Sequence, residues 1–442
     1  MKRLICQLIL VGLLAGCTAE EPVPENVSGA SQMPLSEIRT VNEAIEIAST
    51  VSHTMLTDGN ASGLGRGYGR VVDPATQVYT ICNPASRSAE ADPLMYVVNY
   101  AEDNGFAMVP ANRNAPDVVA VTEKGHYNPS DGIEIGGFNE WLEEVTEYLV
   151  RLESEEKPVA SIPAASGVLR KVVTDTIFNR KVDPRIEVIW GQRKDKFFPD
   201  ACEGMFFDNN NAGCGNVAIA MVMSYLERPK YLQTTFLPPE GNFELHLNWP
   251  QLRRYLSVHD TPPQVFPNVD SSGYAVRTRL AFLLRELAER NKSTYGDSIT
   301  TVNGQNFSNT LHDLQITSDS NWEYSTTCHD ILYHYTGSVL FLSAYQNGFA
   351  EGGHIWVCDG MKNFQLRYRT YESTDNGATW DLIDTSYSTY QGYVHYNWGW
   401  HGECNGFYLN SSTSAIPGGP ESGNTSKFDF KYFRDYILVY GG

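Results

Sequence analysis

The sequence predicts an α+β protein in two unequal parts, a small N-terminal block and a larger C-terminal domain. Three observations lead there. The chain has 442 residues, more than a single core of roughly 100–200 residues accommodates. Apolar residues recur at i, i+3, i+4 in some stretches and as short strand-like runs in others. Between residues 154 and 180 small and proline-rich sequence interrupts that patterning. Hydrophobic residues at 42% and aromatics at 12% exceed what a disordered chain carries. Lys and Arg number 33 against 52 Asp and Glu, a net charge of −19, which argues against nucleic acid and anionic lipid headgroups as main partners. Eight cysteines are too few for a disulfide scaffold.

Residues 1–17 form an export signal: Lys2 and Arg3 precede an apolar run, Leu4 to Leu14, too short to span a membrane. The run ends in Leu14-Ala15-Gly16-Cys17, which resembles the lipobox of bacterial lipoproteins. That resemblance implies removal of the leader, acylation of Cys17 and a place at the bacterial cell envelope, on the outer membrane or cell surface. The lipid is the one membrane contact expected. Residues 18–32, rich in Pro, Glu and Ser, read as a tether.

The block 33–153 begins with Thr40 and Glu43 at capping-box spacing. A helical stripe follows: Val41, Ala44, Ile45, Ala48, Val51 and Met55. Gly63, Gly65, Gly67 and Gly69 lack the spacing of a phosphate cradle and read as a solvent loop. Strand-like runs cover Val78 to Ile81, Met95 to Tyr100, Phe106 to Val109 and Val118 to Thr122. A second amphipathic helix carries Phe138, Trp141, Leu142, Val145, Leu149 and Leu152 on one face. No paired acid and base stands in this block. Residues 154–180 read as a linker open to proteolysis, and 181–442 as the larger domain.

Three segments of that domain carry chemistry. In Asn211-Ala212-Gly213-Cys214 and the apolar run after it, a buried central helix has Cys214 in its first turn. The free N–H groups and partial positive charge there favour thiolate. In Gly352-Gly353-His354, a His begins a strand 140 residues further on, a separation suited to a Cys and its base on opposite walls of a cleft. In Val394-His395-Tyr396-Asn397-Trp398-Gly399-Trp400, an Asn and a Trp end a strand, where an amide holds an imidazole and an indole keeps water away.

Trp190-Gly191-Gln192, Gly213-Cys214, Gly352-Gly353-His354 and Asn397-Trp398-Gly399-Trp400 together resemble the streptopain family of secreted bacterial cysteine peptidases. The stretch Met95 to Val109 is similar to that family's propeptide. The resemblance implies a papain-like domain, with a helical lobe bearing the Cys helix and an antiparallel sheet lobe, preceded by a small α+β prodomain. It implies a cysteine endopeptidase made as a zymogen, acting on protein or peptide substrates without a cofactor. Cys214 would be the nucleophile and His354 the general base. Gln192 would donate to the oxyanion beside the Cys214 amide, Trp398 would cover the pair, and Asn397 would fix the indole or the imidazole. Gly353 would line the substrate subsites. The segment Tyr295-Gly296-Asp297-Ser298 resembles one that contributes a substrate-pocket serine, Ser298. The prodomain would act as an intramolecular inhibitor until linker cleavage frees the enzyme, with or without its anchor.

Two features depart from the family. Gly215-Asn216 after the Cys changes the packing beneath it. Residues 361–392 lengthen the link between the His and Asn-Trp segments, and Asn376-Gly377 suggests a hairpin, read as decoration rather than as an exosite or lid. Other chemistries fit less well. Gly296-Asp297-Ser298 is shared with GDS-type esterases, but polar residues precede it and no Asp-x-x-His follows. Cys214, Cys358, Cys404 and His354 have no zinc-site spacing, so no metal is expected. Cys202, Cys328, Cys358 and Cys404 fit buried thiols or disulfides equally. His312, His329, His334, His395 and His401 have no helical metal spacing and read as surface or structural. The alternative from another class is a catalytically silent surface-binding lipoprotein; acyl transfer on the same fold is a third reading.

Overall fold

The computed structural model describes residues 38–56, 70–72, 78–82, 92–113, 115–129, 135–154, 169–192, 211–235, 244–256, 271–296, 300–321, 328–344, 353–375, 377–387, 390–413 and 433–440. The leader, Cys17, the glycine-rich loop, Cys202 and Ser298 lie outside the described residues.

Helix α1 (Val41–Leu56) opens on the expected capping box: the Glu43 carboxylate accepts from the Thr40 amide at 2.7 Å, and the Thr40 hydroxyl oxygen accepts from the Glu43 amide at 3.3 Å. Its stripe Ala44, Ala48, Val51 and Met55 is buried against a meander of β1 (Val78–Cys82), β2 (Pro93–Asn99), β3 (Phe106–Pro110) and β4 (Ala120–Thr122). Helix α2 (Gly136–Ser154) buries Phe138, Trp141, Val145, Leu149 and Leu152, the face its periodicity marks.

The linker differs from expectation. Within 154–180, α2 continues to Ser154, and a long strand, β5 (Leu169–Val182), begins at Leu169 and runs past the expected domain start at residue 181. Val172, Val173, Thr174, Thr176 and Ile177 are β-branched, a composition that takes strand geometry where a partner is available. The partner is distant in sequence: β12 (His354–Ser373) pairs with β5 from Met361↔Val182 to Ser373↔Leu169.

In the larger domain, α3 (Cys214–Leu226) is buried from Gly215 to Ser224, as an all-round apolar helix must be. Around it stand β6 (Tyr231–Gln233) paired with β7 (Glu244–His246), α4 (Trp249–Leu252), α5 (Ser271–Arg290), β8 (Thr294–Tyr295) paired with β9 (Thr300–Thr301), and α6 (Gly304–Asp313). Val217, Met221, Leu280, Leu284, Phe307 and Leu311 fill the core of this helical lobe. The sheet lobe consists of β10 (Ser318–Asn321), β11 (Val339–Ala344), β12, β13 (Asp381–Tyr387), β14 (Tyr390–Asn397), β15 (Gly406–Thr413) and β16 (Phe433–Val439), with α7 (Cys328–His334) on one face. The hairpin signalled by Asn376-Gly377 is present as β12–β13.

One sheet runs through both parts in the order β1-β2-β3-β4-β15-β14-β12-β11-β16-β10, with β5 and β13 also paired to β12. The N-terminal block joins at β4–β15, where Thr122, Val121 and Ala120 face Gly406, Phe407 and Tyr408. Its apolar core is continuous with the sheet lobe: the Trp141 and Tyr408 rings meet edge to face at 4.8 Å. No helix among the described residues is long and apolar enough to cross a membrane.

Candidate active site

Cys214 is the first residue of α3, and the turn before it is held by buried polar groups. Gly213 has φ +88°, a conformation that favours glycine, and its amide donates to the Asn211 side chain at 2.9 Å. The Asn216 amide donates to the Ala212 carbonyl at 2.7 Å and to the Ser293 hydroxyl at 3.0 Å. Its oxygen accepts from Asn291 at 2.6 Å. Asn216 is fully buried, so the departure at Gly215-Asn216 is a polar brace under the nucleophile. The Gln192 carbonyl accepts from the Ala212 amide at 2.8 Å, which carries buried Gln192 up to the same turn.

His354 begins β12 beside α3. The Ile355 amide donates to the Cys214 sulfur at 3.4 Å. The His354 ring lies 6.0 Å from Trp356, nearly parallel at 15°, and 6.3 Å from Trp398. Its Nε2–H donates to the Trp398 carbonyl at 3.0 Å, so Nδ1 is the nitrogen left to accept a proton. Trp398 is buried, its indole N–H donating to the Cys404 carbonyl at 2.9 Å.

Asn397 stands differently from expectation. Its amide donates to the Val188 carbonyl at 3.0 Å, and its oxygen accepts from the Gly399 amide at 3.2 Å. It fixes neither ring. The turn bearing Trp398 is short enough that its own carbonyl reaches the imidazole, and Asn397 anchors that turn to the strand end leading to Gln192. Gly353 stands half-buried just before His354.

Cys214 and His354 are neighbours, yet no hydrogen bond joins thiol and ring among the described residues. Helix α2 lies against His354 and Trp398. A Cβ on Gly137 would lie 2.7 Å from the Trp398 ring and 3.0 Å from His354 Cδ2, so the N-terminal block presses backbone against both aromatics. Glu140, one turn on, is buried; burial first and Glu143 second raise its carboxyl to about 7. Burial lowers His354 to about 4, against the Trp398 carbonyl that favours the charged ring. Burial also raises the Cys214 thiol, outweighing the Ile355, Gly215 and Cys214 amides that favour thiolate; the Glu140 charge adds to the rise. A helix N-terminus alone predicts an ionised sulfur. Buried in the zymogen, both partners are neutral.

A second buried cluster escaped the sequence reading. The His395 Nδ1–H donates to Asp359 at 2.5 Å, and Nε2 lies 3.3 Å from Glu123 of the N-terminal block. Asp359 also accepts from the Ile186 amide at 2.7 Å. Asp359 sits in an apolar run and His395 in an alternating one, so spacing carried no signal of their meeting. Among the described cysteines, Cys82, Cys214, Cys358 and Cys404 are free thiols. No group of metal-ligating side chains occurs among the described residues.

Comparison with known proteins bears on this arrangement. Residues 190–408 match the sequence model of the peptidase C10 family. The catalytic domain belongs to that family, the streptopain family. Residues 40–149 match the Spi protease inhibitor model, which makes the N-terminal block an inhibitor-type propeptide and the chain a cysteine peptidase zymogen. In this propeptide, Gly137 is the residue that lies against His354 and Trp398. No curated protein matches the chain significantly. A Cys-to-Ala variant of a prointerpain A fragment from Prevotella intermedia aligns at 17% identity and TM-score 0.47, over 83% of this chain and 100% of that one. Active interpain A cysteine protease from the same organism aligns at 15% and TM-score 0.34, over 60% of this chain and 96% of that one. The assignment rests on the two family matches rather than on these superpositions.

Proposed function

We propose that the protein is an exported endopeptidase, anchored at the cell envelope through lipid on Cys17, whose prodomain yields a Cys214–His354 pair on processing. The observation that carries this reading is α2, whose Gly137 lies against His354 and Trp398, beside a buried ring and thiol that are both held in their neutral forms. Once α2 leaves, the desolvation is relieved. His354 Nδ1 takes the Cys214 proton, and the thiolate attacks the scissile carbonyl. The oxyanion is met by the Cys214 amide and the Gln192 side chain, a donor whose loss costs about 10²–10³ in rate in comparable sites. The imidazolium then gives its proton to the leaving amine, breaking the C–N bond. Water, with His354 as base, hydrolyses the thioester. Trp398 shields the ring and supplies the carbonyl that sets its tautomer. Asn397 positions that carbonyl. Gly353, beside His354, lines the subsites.

Cleavage within chains fits the way the prodomain crosses the site: Gly136 and Gly137 are interior residues with chain continuing on both sides. The test is labelling of the processed protein with an epoxide-type thiol-protease inhibitor, followed by mapping of the adduct. An adduct on Cys214 that blocks casein hydrolysis is expected. No adduct, or one elsewhere, leaves the silent binding lipoprotein as the better reading. Export and anchoring rest on Lys2, Arg3, the Leu4 to Leu14 run and Cys17; metabolic labelling with palmitate, lost in Cys17→Ala, checks them.

A further inference from the structure

Residues 361–392 are more than decoration. The outer half of β12 runs beyond both inner neighbours, since β11 pairs with it over His354 to Cys358 and β14 over Val357 to Phe364. Past those points one edge takes β5 up to Ser373↔Leu169, and the other takes β13 from Arg367↔Tyr387 to Glu372↔Asp381. The inserted hairpin thus supplies a ladder for a segment that otherwise lacks one. Its turn is set by Asp375, which accepts from the Ser373 hydroxyl at 2.7 Å and the Thr379 amide at 2.9 Å.

Strand β5 is rooted in the peptidase domain. The Arg180 guanidinium lies 4.8 Å from the centre of the Tyr333 ring on α7, and Val182 packs on the core. Arg185 then donates to the Ser338 and Leu332 carbonyls, and the Ile186 amide to Asp359, on the way to Gln192. The prodomain's hold on the outer half of β12 is of another kind. The Tyr368 hydroxyl donates to Asp117, itself paired with Arg39, at 2.7 and 2.6 Å. Side-chain contacts of that sort separate when a domain leaves, whereas a laddered strand separates only by local unfolding.

We propose that the inserted hairpin is a docking surface for residues 169–182, and that it keeps them as the N-terminal strand of the processed peptidase. The inference rests on the zymogen reading above for its consequence but not for its observation. A protease takes its substrate as an extended chain with free backbone groups, and β5 has those of one edge committed to β12. Bonds within 169–182 therefore survive activation, and the mature chain begins at or before Leu169.

The test uses the full chain carrying Cys214→Ala, cut by an added broad-specificity protease, so that it does not depend on this protein's own activity. The large fragment is sized by mass spectrometry, and amide exchange of 172–180 is followed before and after cutting. The expected fragment starts at or before Leu169, with those amides at least roughly 100-fold slower than an unstructured chain in both states. Thr370→Pro, which removes one ladder donor and distorts β12 where Thr370 stands between Val172 and Asp384, should speed cutting inside 169–182 by roughly tenfold or more. Exchange of α3 reports whether that variant is folded; if it is not, the parent's fragment and exchange decide alone. A parent fragment beginning after Val182, unprotected amides at 172–180 after cutting, or equal cutting rates in parent and folded variant would overturn the proposal.

Discussion

Replacing Glu140 by Gln should make prodomain docking tighten with rising pH, where docking of the native prodomain is nearly independent of it. Two groups at the covered cleft oppose each other. Docked, the Glu140 carboxyl sits at about 7 instead of 4.5, so ionising it weakens docking progressively as pH rises from 4.5 towards 7. Docked, the His354 ring sits at about 4 instead of 6.5, so docking requires a neutral ring and tightens as pH rises from 4 towards 6.5. Between about pH 5 and about pH 6.5 the proton taken up by Glu140 matches the one released by His354, and the native zymogen is nearly flat. Burial pulls His395 down, but Asp359 and Glu123 carry it above 6.5, outside that interval. With the carboxyl gone, only the imidazole remains. At about 1.36 kcal/mol per pH unit, docking strengthens by up to about 2 kcal/mol across the interval, roughly 30-fold in the opening constant. The assay is native-state hydrogen exchange of α2 in Cys214→Ser full-length protein, corrected for intrinsic exchange. The reasoning is refuted if Glu140→Gln leaves the slope unchanged or makes docking loosen with rising pH.

Gly137→Ala places a methyl 2.7 Å from the Trp398 ring, and overpacking of this kind costs about 1–3 kcal/mol. Alkylation of Cys214 in the uncut zymogen should accelerate several-fold, with the processed enzyme unaffected. Asn216→Leu leaves the Ala212 carbonyl and the Asn291 amide without their partner, at about 1–3 kcal/mol, visible as a lower denaturant midpoint together with a fall in kcat/KM. Asn397→Ala should reduce kcat/KM and stability while leaving the acid limb of the pH–rate profile in place, because Asn397 does not touch the ring. A displaced limb would mean that it does.

Legibility in the sequence followed the range of the interaction. The Thr40–Glu43 cap, the stripe of α2 and the all-apolar run after Cys214 are local patterns, and each became the element it marked. The Gln192, Cys214, His354 and Trp398 segments were readable as one set through their resemblance, in order and spacing, to the streptopain family. Strand β5 was not, since its partner lies about two hundred residues away in a stretch that the domain's own chemistry does not require. Asn216 was seen as an oddity and not as a brace, because Asn291 and Ser293 come from another helix end. The tautomer-setting role passed from the Asn397 amide to the Trp398 carbonyl, and backbone groups leave no trace in residue type. The helix end at Cys214 speaks for thiolate, and burial, with a smaller contribution from the Glu140 charge, outweighs it in the zymogen.

The ladder between β4 and β15 spans only Ala120, Val121 and Thr122, with single backbone bonds at Val119, Glu123 and Lys124 extending it. A rim so narrow is easily unsealed, yet it is laid down first, since the N-terminal block leaves the ribosome ahead of the sheet that grows onto it. Maturation removes the mould along with the stopper. The processed enzyme keeps its shape without a template for regaining it, and should recover poorly from denaturation where the intact zymogen recovers well.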